Sequence, residues 1–221
     1  MIEKIYALVR KIKTQFAVKK KMAQLQQSLS QSDEEYQAYV GKQLSRTINK
    51  KVHRGTHTYF LIDEINAKFG VSGKTVLCVG CRNLVEVEYF ESKSASKITA
   101  IDLNGDEIKI LSMDMHNLKF PDKSFDIVFS SHSLEHSFDP KKVISELSRV
   151  AIPGGIIAVE VPVGFVPSEV DRVDFGTIER LSDEFSCNNC ELIWSERQGK
   201  ESERNPHRME IIRCIFQKAA E

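Results

Sequence analysis

From residue 58 onward the apolar positions fall into short strand-like and helix-like runs that alternate along the chain. Phe60, Leu61, Ile65 and Phe69 recur at helical spacing, and Gly70 ends that helix. Residues 75–83 are an apolar, β-branched run that closes on a single glycine, Gly80. This is the pattern of a buried strand entering a tight turn. A helical pattern follows over 84–90, and a second strand over 97–103 carries Asp102 near its end. A third strand over 108–112 is reached so quickly that no crossover helix fits between. Residues 125–130 give a fourth strand. Asp139 then caps a helix with Pro140 at its first position and Val143, Leu147 and Val150 on its inner face. Pro153-Gly154-Gly155 ends that helix, and the continuous apolar run 156–161 predicts a central strand. A helix over 177–185 precedes two last strands, 191–195 and 209–216. Only a polar loop, 197–208, joins them, so they must pair antiparallel. The expectation is an α/β fold: a mostly parallel seven-stranded sheet with one antiparallel strand.

The region before residue 58 reads differently. Residues 2–29 predict a helix with one stripe through Ile5, Val9, Ile12, Phe16, Met22, Leu25 and Leu29. Lys11, Lys13, Lys19, Lys20 and Lys21 occupy its other face. Such a helix either packs on its own domain with a solvated lysine face, or docks on a partner or an anionic membrane surface. Ser32 and Glu35 form a capping signal for a second helix through about residues 40–44. Residues 46–56 are polar and basic and read as a linker or a substrate-side loop, in which His53 and His57 are expected to be solvated. The division expected is a helical N-terminal extension over 1–57 and the α/β domain over 58–221.

Charge sharpens this picture. Formal net charge is +0, yet residues 1–30 hold seven Lys or Arg against a single Glu, so the rest of the chain is acidic by the same margin. No basic–aromatic motif accompanies the lysines, which argues against a nucleic-acid partner. No apolar run reaches the ~18 residues of a membrane span, and the N-terminus lacks a secretory apolar core. Five cysteines, an odd number, fit free thiols and a cytoplasmic location.

The candidate chemistry gathers at strand ends. Strand, turn, helix and then a strand closing on an acid is the layout of a nucleotide-binding crossover. The turn lets backbone approach the ligand, and the acid accepts from a ribose diol. The dinucleotide pattern of three glycines is absent: Arg82 and Leu84 stand where the second and third would be. His132 and His136 follow the fourth strand, where open sheets bind ligands, and are the candidate bases. Glu169, Asp171 and Asp174 form an acidic loop after the fifth strand; it reads as a solvated loop or a substrate selector. Cys78 and Cys81 with Cys187 and Cys190 make two C-x-x-C pairs. They are far more widely separated than zinc sites usually are, so no metal site is expected.

Residues 74–217 resemble the class I S-adenosylmethionine-dependent methyltransferases of the small type-11 branch, a Rossmann-like family. The stretch from Leu118-Lys-Phe-Pro-Asp-Lys-Ser to Ser133-Leu-Glu-His136 carries the likeness most strongly. The Pro-Gly-Gly segment and the terminal antiparallel strand add to it. The resemblance implies S-adenosyl-L-methionine as cofactor, held by Gly80, Cys81, Arg82, Asp102, Leu103, Asp114, Met115 and Ser131. Within that set, Asp102 would take the ribose hydroxyls, Asp114 the adenine amino group, and Arg82 the cofactor's carboxylate. It implies methyl transfer to a small-molecule or glycan-type acceptor. The chain departs from the family in three places. Cys78 replaces an acid, Arg82 replaces a glycine, and the helix after the second strand is missing. A non-catalytic binding or scaffold protein on the same fold therefore remains open. An NAD-dependent oxidoreductase is disfavoured by the absent glycines and the terminal strand order.

Overall fold

The structure, a computed structural model, describes residues 2–26, 29, 34–49, 57–105, 109–200 and 209–220. Helices α1 (Ile2–Leu25) and α2 (Glu34–Asn49) precede α3 (Tyr59–Phe69). Strands β1 (Thr75–Val79), β2 (Lys97–Asp102), β3 (Ile110–Ser112), β4 (Phe125–Ser131), β5 (Ala151–Val163), β6 (Cys190–Gln198) and β7 (Glu210–Lys218) form one sheet. Its order is β3-β2-β1-β4-β5-β7-β6. Helix α4 (Val85–Ser92) joins β1 to β2, α5 (Pro140–Val150) joins β4 to β5, and α6 (Ile178–Ser186) precedes β6. β1 pairs parallel with β2 and β4, while β7 runs antiparallel to both β5 and β6. The fold class and the reversed strand therefore agree with the sequence.

The buried strands alternate faces with period two. Val76, Cys78, Ile127 and Phe129 point into the layer covered by α3 and α4, with Leu61, Ile65 and Phe90. Leu77, Val79, Val128 and Val159 point the other way, into the layer with Leu147, Phe185 and Phe216. Asp139 accepts from the Lys142 amide, and Pro140 occupies the first turn of α5. Thr177 caps α6 by accepting from the Arg180 amide. Fully burying each large apolar side chain in these layers contributes about 1.5–3 kcal/mol before entropy is counted.

Several expectations are corrected. α5 does not run to the Pro-Gly-Gly segment: it ends at Val150, and β5 begins at Ala151, with an irregular register between Phe125 and Ile127 of β4. α2 continues to Asn49, so residues 46–49 are helix and not linker. The single apolar stripe on α1 is in fact two rows. Val18, Met22 and Leu29 pack on the cluster of Leu25, Tyr36, Tyr39, Val40 and Leu44, whereas Ile5, Val9, Ile12 and Phe16 are exposed. The expected cap at Ser32, His53 and residue 108 lie outside the described residues, and Lys109 is a turn residue before β3.

β1 and β6 stand four places apart in the sheet, about 19 Å at normal strand spacing. The cysteine pair at β1 therefore cannot share an ion with the pair at β6. Among the described residues, no helix is long and apolar enough to cross a membrane.

Candidate active site

The carboxyl ends of β1, β2, β4 and β5 open into one cavity of about 660 Å³, within the range that holds a cofactor. Gly80, Arg82, Asp102, Leu103, Asp114, Met115, Ser131, His132 and His136 all line it. Cys81 is not among the lining residues. Its side chain is buried in the α3–α4 layer beside Cys78, and a hydrogen bond with Cys78 together with burial pushes its thiol well above the usual range.

The turn after β1 depends on the one glycine. Gly80 has φ +81°, and an added Cβ would stand 1.9 Å from Ser133 Oγ and 2.5 Å from Ser133 Cβ. The Gly80 and Cys81 amides both donate to the Ile101 carbonyl, at 2.8 and 3.1 Å, which clamps the turn to β2. We expect Gly80→Ala to lose about 1–3 kcal/mol in urea unfolding, through the left-handed backbone and the clash with Ser133. Adding Ser133→Gly should return only the clash part.

Asp102 closes β2, and its Oδ1 accepts from the Asn104 amide at 2.7 Å. The half-buried Arg82 donates to the Thr47 carbonyl at 3.4 Å. Burial lowers the proton affinity of its guanidinium, and nearby Asp102 opposes that shift. Arg82 is thus turned into the site instead of resting on the surface.

Asp114 is buried and accepts from the Tyr36 hydroxyl at 2.7 Å, the His116 amide at 2.9 Å and the His116 ring at 2.8 Å. His116 Nε2 in turn accepts from the Phe138 and Asp139 amides. We therefore assign the ring proton to Nδ1, facing Asp114. Burial raises the Asp114 carboxyl, but bonds from His116 and Tyr36 outweigh it and hold the group below its usual value. This network fastens α2 across the end of β3. Leu103 packs against the same α2 cluster. Tyr39, Gln43, Arg46 and Thr47 of α2 thereby form part of the cavity wall.

His132 follows β4 in the left-handed region, φ 49°. Its Nε2 lies 3.2 Å from Glu160 Oε1, and its Nδ1 lies 3.8 Å from Glu135 Oε1. Glu160 is fully buried; it also accepts from Ser131 Oγ at 2.9 Å and is ion-paired to Arg213, which is equally buried. Arg213 reaches on to Glu196 at 3.0 Å. Burial alone would raise the Glu160 carboxyl, yet His132 and Arg213 bring it down to about 2. Burial lowers the His132 imidazolium, and Glu160 more than reverses this, so its pKa sits above the ordinary 6.5.

His136 is tied up elsewhere. Its Nδ1 lies 3.0 Å from Asp171, which also meets Arg46 at 3.1 Å. Of the acidic loop, Asp171 enters the cavity wall. Glu169 pairs with Lys42, and Asp174 accepts from the Gly164, Phe165 and Gly176 amides.

His57, expected in solvent, faces His132 edge-on at 5.4 Å. The donor atoms of His57, His132 and Glu160 lie within 4.8 Å of one another, a spacing a divalent cation could use. Within this group Glu160 is already ion-paired to Arg213.

This sheet order, with its reversed penultimate strand, is that of a Rossmann-like α/β fold. Comparison with known proteins agrees. Residues 77–159 match the family described as methyltransferase domain. A sterol 24-C-methyltransferase of Gibberella zeae is 28% identical over 119 residues, which is 47% of this chain and 30% of the relative. A ubiquinone biosynthesis O-methyltransferase of Psychrobacter cryohalolentis is 28% identical over 127 residues, 49% of this chain and 48% of the relative. The chain thus spans less than half the length of these relatives. The crystal structure of Burkholderia thailandensis 1,6-didemethyltoxoflavin-N1-methyltransferase, with 1,6-didemethyltoxoflavin and S-adenosylhomocysteine bound, superposes with TM-score 0.64. The identity is 14%, over 86% of this chain and 92% of that one, a likeness of fold. Residues 77–159 are thus similar to a methyltransferase domain, and S-adenosylmethionine is the cofactor that this likeness implies.

Proposed function

We propose that the protein transfers a methyl group from S-adenosylmethionine to a small, largely apolar acceptor. The observation that carries this is the placement of Asp102 and Asp114 on one cavity with Gly80, Arg82 and Met115. The residues present fit the cofactor: a carboxylate at the β2 tip suits a ribose diol, a guanidinium suits a carboxylate, and Leu103 and Met115 suit an adenine face. Asp114 already accepts from Tyr36 and His116, so we assign it chiefly to holding α2 against the adenine end.

Bound there, the cofactor supplies an electrophilic methyl group on a sulfonium. The protein's share is positioning, together with removal of a proton where the acceptor arrives as a hydroxyl. His132 takes that proton. Glu160 holds the Nε2 side of the ring, which directs Nδ1 to the acceptor, and Arg213 keeps Glu160 ionised. His136 acts by position, linking the loop after β5 to Arg46 through Asp171. The named relatives act on a sterol and in ubiquinone biosynthesis. Phe165, Met209 and the 90%-exposed Val166 line the cavity. Both points favour an apolar acceptor over a glycan.

Calorimetric titration with S-adenosylmethionine and S-adenosylhomocysteine tests this reading. Saturable heat is expected, and Asp102→Ala should weaken binding by ~1–3 kcal/mol, the scale of a lost charged hydrogen bond. No heat at millimolar ligand would instead favour a scaffold protein on this fold.

A further inference from the structure

α1 is fastened by one face and leaves the opposite face apolar. Val18, Met22 and Leu25 pack on α2, and Arg10 and Thr14 bond the Asn49 carbonyl and side chain at 3.2 and 3.0 Å. The outward row is Ile5, Val9, Ile12 and Phe16. The step from Phe16 to Val18 is two residues, about 200° around a helix, so the two rows lie on opposite sides. Ile5 is 55% exposed, Val9 42%, Ile12 54% and Phe16 77%, and Tyr6 at 73% and Leu8 at 58% widen the patch. Single exposed apolar residues are ordinary; six on one short stretch of helix mark a contact surface.

The charge around the row says what it contacts. Lys13 and Lys20 border one side of it and Lys19 the other, and all three are exposed. Residues 4–25 contain no Asp or Glu at all. A second copy of this chain would bring lysines against lysines across a two-fold axis, a repulsive arrangement. A bilayer answers both features, taking apolar side chains at the acyl boundary and meeting each ammonium with a phosphate headgroup. We propose that the outward face of α1 docks on an anionic phospholipid membrane surface. The docked helix is fastened to the end of α2 that lines the cavity through Arg46 and Thr47. The proposal stands without the methyl-transfer reading, and its test has no catalytic readout.

The 221-residue chain is floated with vesicles of phosphatidylcholine alone and of phosphatidylcholine with phosphatidylglycerol. Binding is expected only to the second, and it should weaken as salt is raised. Ile12→Glu with Phe16→Glu, and separately Lys13→Gln with Lys19→Gln and Lys20→Gln, should each reduce it about tenfold or more. Because these side chains are exposed, the urea midpoint of each variant should match the parent. Absence of binding to the anionic vesicles overturns the proposal, as does binding indifferent to both sets of changes. So does a dimer in sedimentation equilibrium that Ile12→Glu with Phe16→Glu dissolves.

Discussion

Replacing His132 by alanine lowers turnover by about 10²–10⁴-fold, the usual contribution of a positioned base, while S-adenosylhomocysteine binds within about twofold of the parent. The split follows from geometry. His132 lines the cavity between Glu160 and Glu135, whereas the groups assigned to the cofactor lie around Asp102 and Asp114. The pH profile gives a second readout. A base must be neutral to act, and Glu160 raises the His132 pKa above 6.5. Activity should therefore fall with acidification through an inflection above that value. Glu160→Gln removes the carboxylate that favours the imidazolium, so the inflection should move to lower pH. The measurement is S-adenosylhomocysteine release against an extract of apolar small molecules, from about pH 5 to 9 across the range where histidine titrates. An unshifted profile in Glu160→Gln would remove His132 from the reaction.

Removing Arg213 is the change expected to cost most in stability. Arg213 is 1% exposed and Glu160 0%, and they are direct register partners on β7 and β5. Arg213→Met leaves the Glu160 carboxylate buried with His132 as its remaining cation. Breaking such a pair from one side costs about 3–5 kcal/mol. Arg213→Met with Glu160→Leu removes both charges, and most of the loss should return, because a buried pair and a well-packed apolar pair differ little. Urea unfolding of the two variants checks this. Equal midpoints for the single and double variants would contradict the account of an uncompensated charge.

The sheet was legible because its strands are marked by buried β-branched runs and its helices by Asp139, Pro140 and Thr177. Asp102 was legible because it ends a strand one crossover after the only glycine of the turn. The base cluster was not, although its signal was present. Glu160 and Arg213 interrupt strands that are otherwise apolar, and charges in buried strands demand partners. Pairing β5 antiparallel to β7 sets the two side by side. The role of α2 was harder to see. Tyr36, Tyr39 and Gln43 sit in an unremarkable helix, and their contacts with Asp114, His136 and Val170 span 78, 97 and 127 residues of sequence. The two rows of α1 were hidden by treating 4-3-4 spacing as continuous across a two-residue shift at Phe16. His57 was misplaced because local polarity reports solvation, not the cavity that a later strand brings alongside.

A crystal structure with S-adenosylhomocysteine bound is the most direct test of the central claim. The account predicts both ribose hydroxyls on the Asp102 carboxylate and the adenine ring between Leu103 and Met115, walled by α2. Nucleoside density anywhere else, or an Asp102 side chain turned from it, would contradict the assignment of the site.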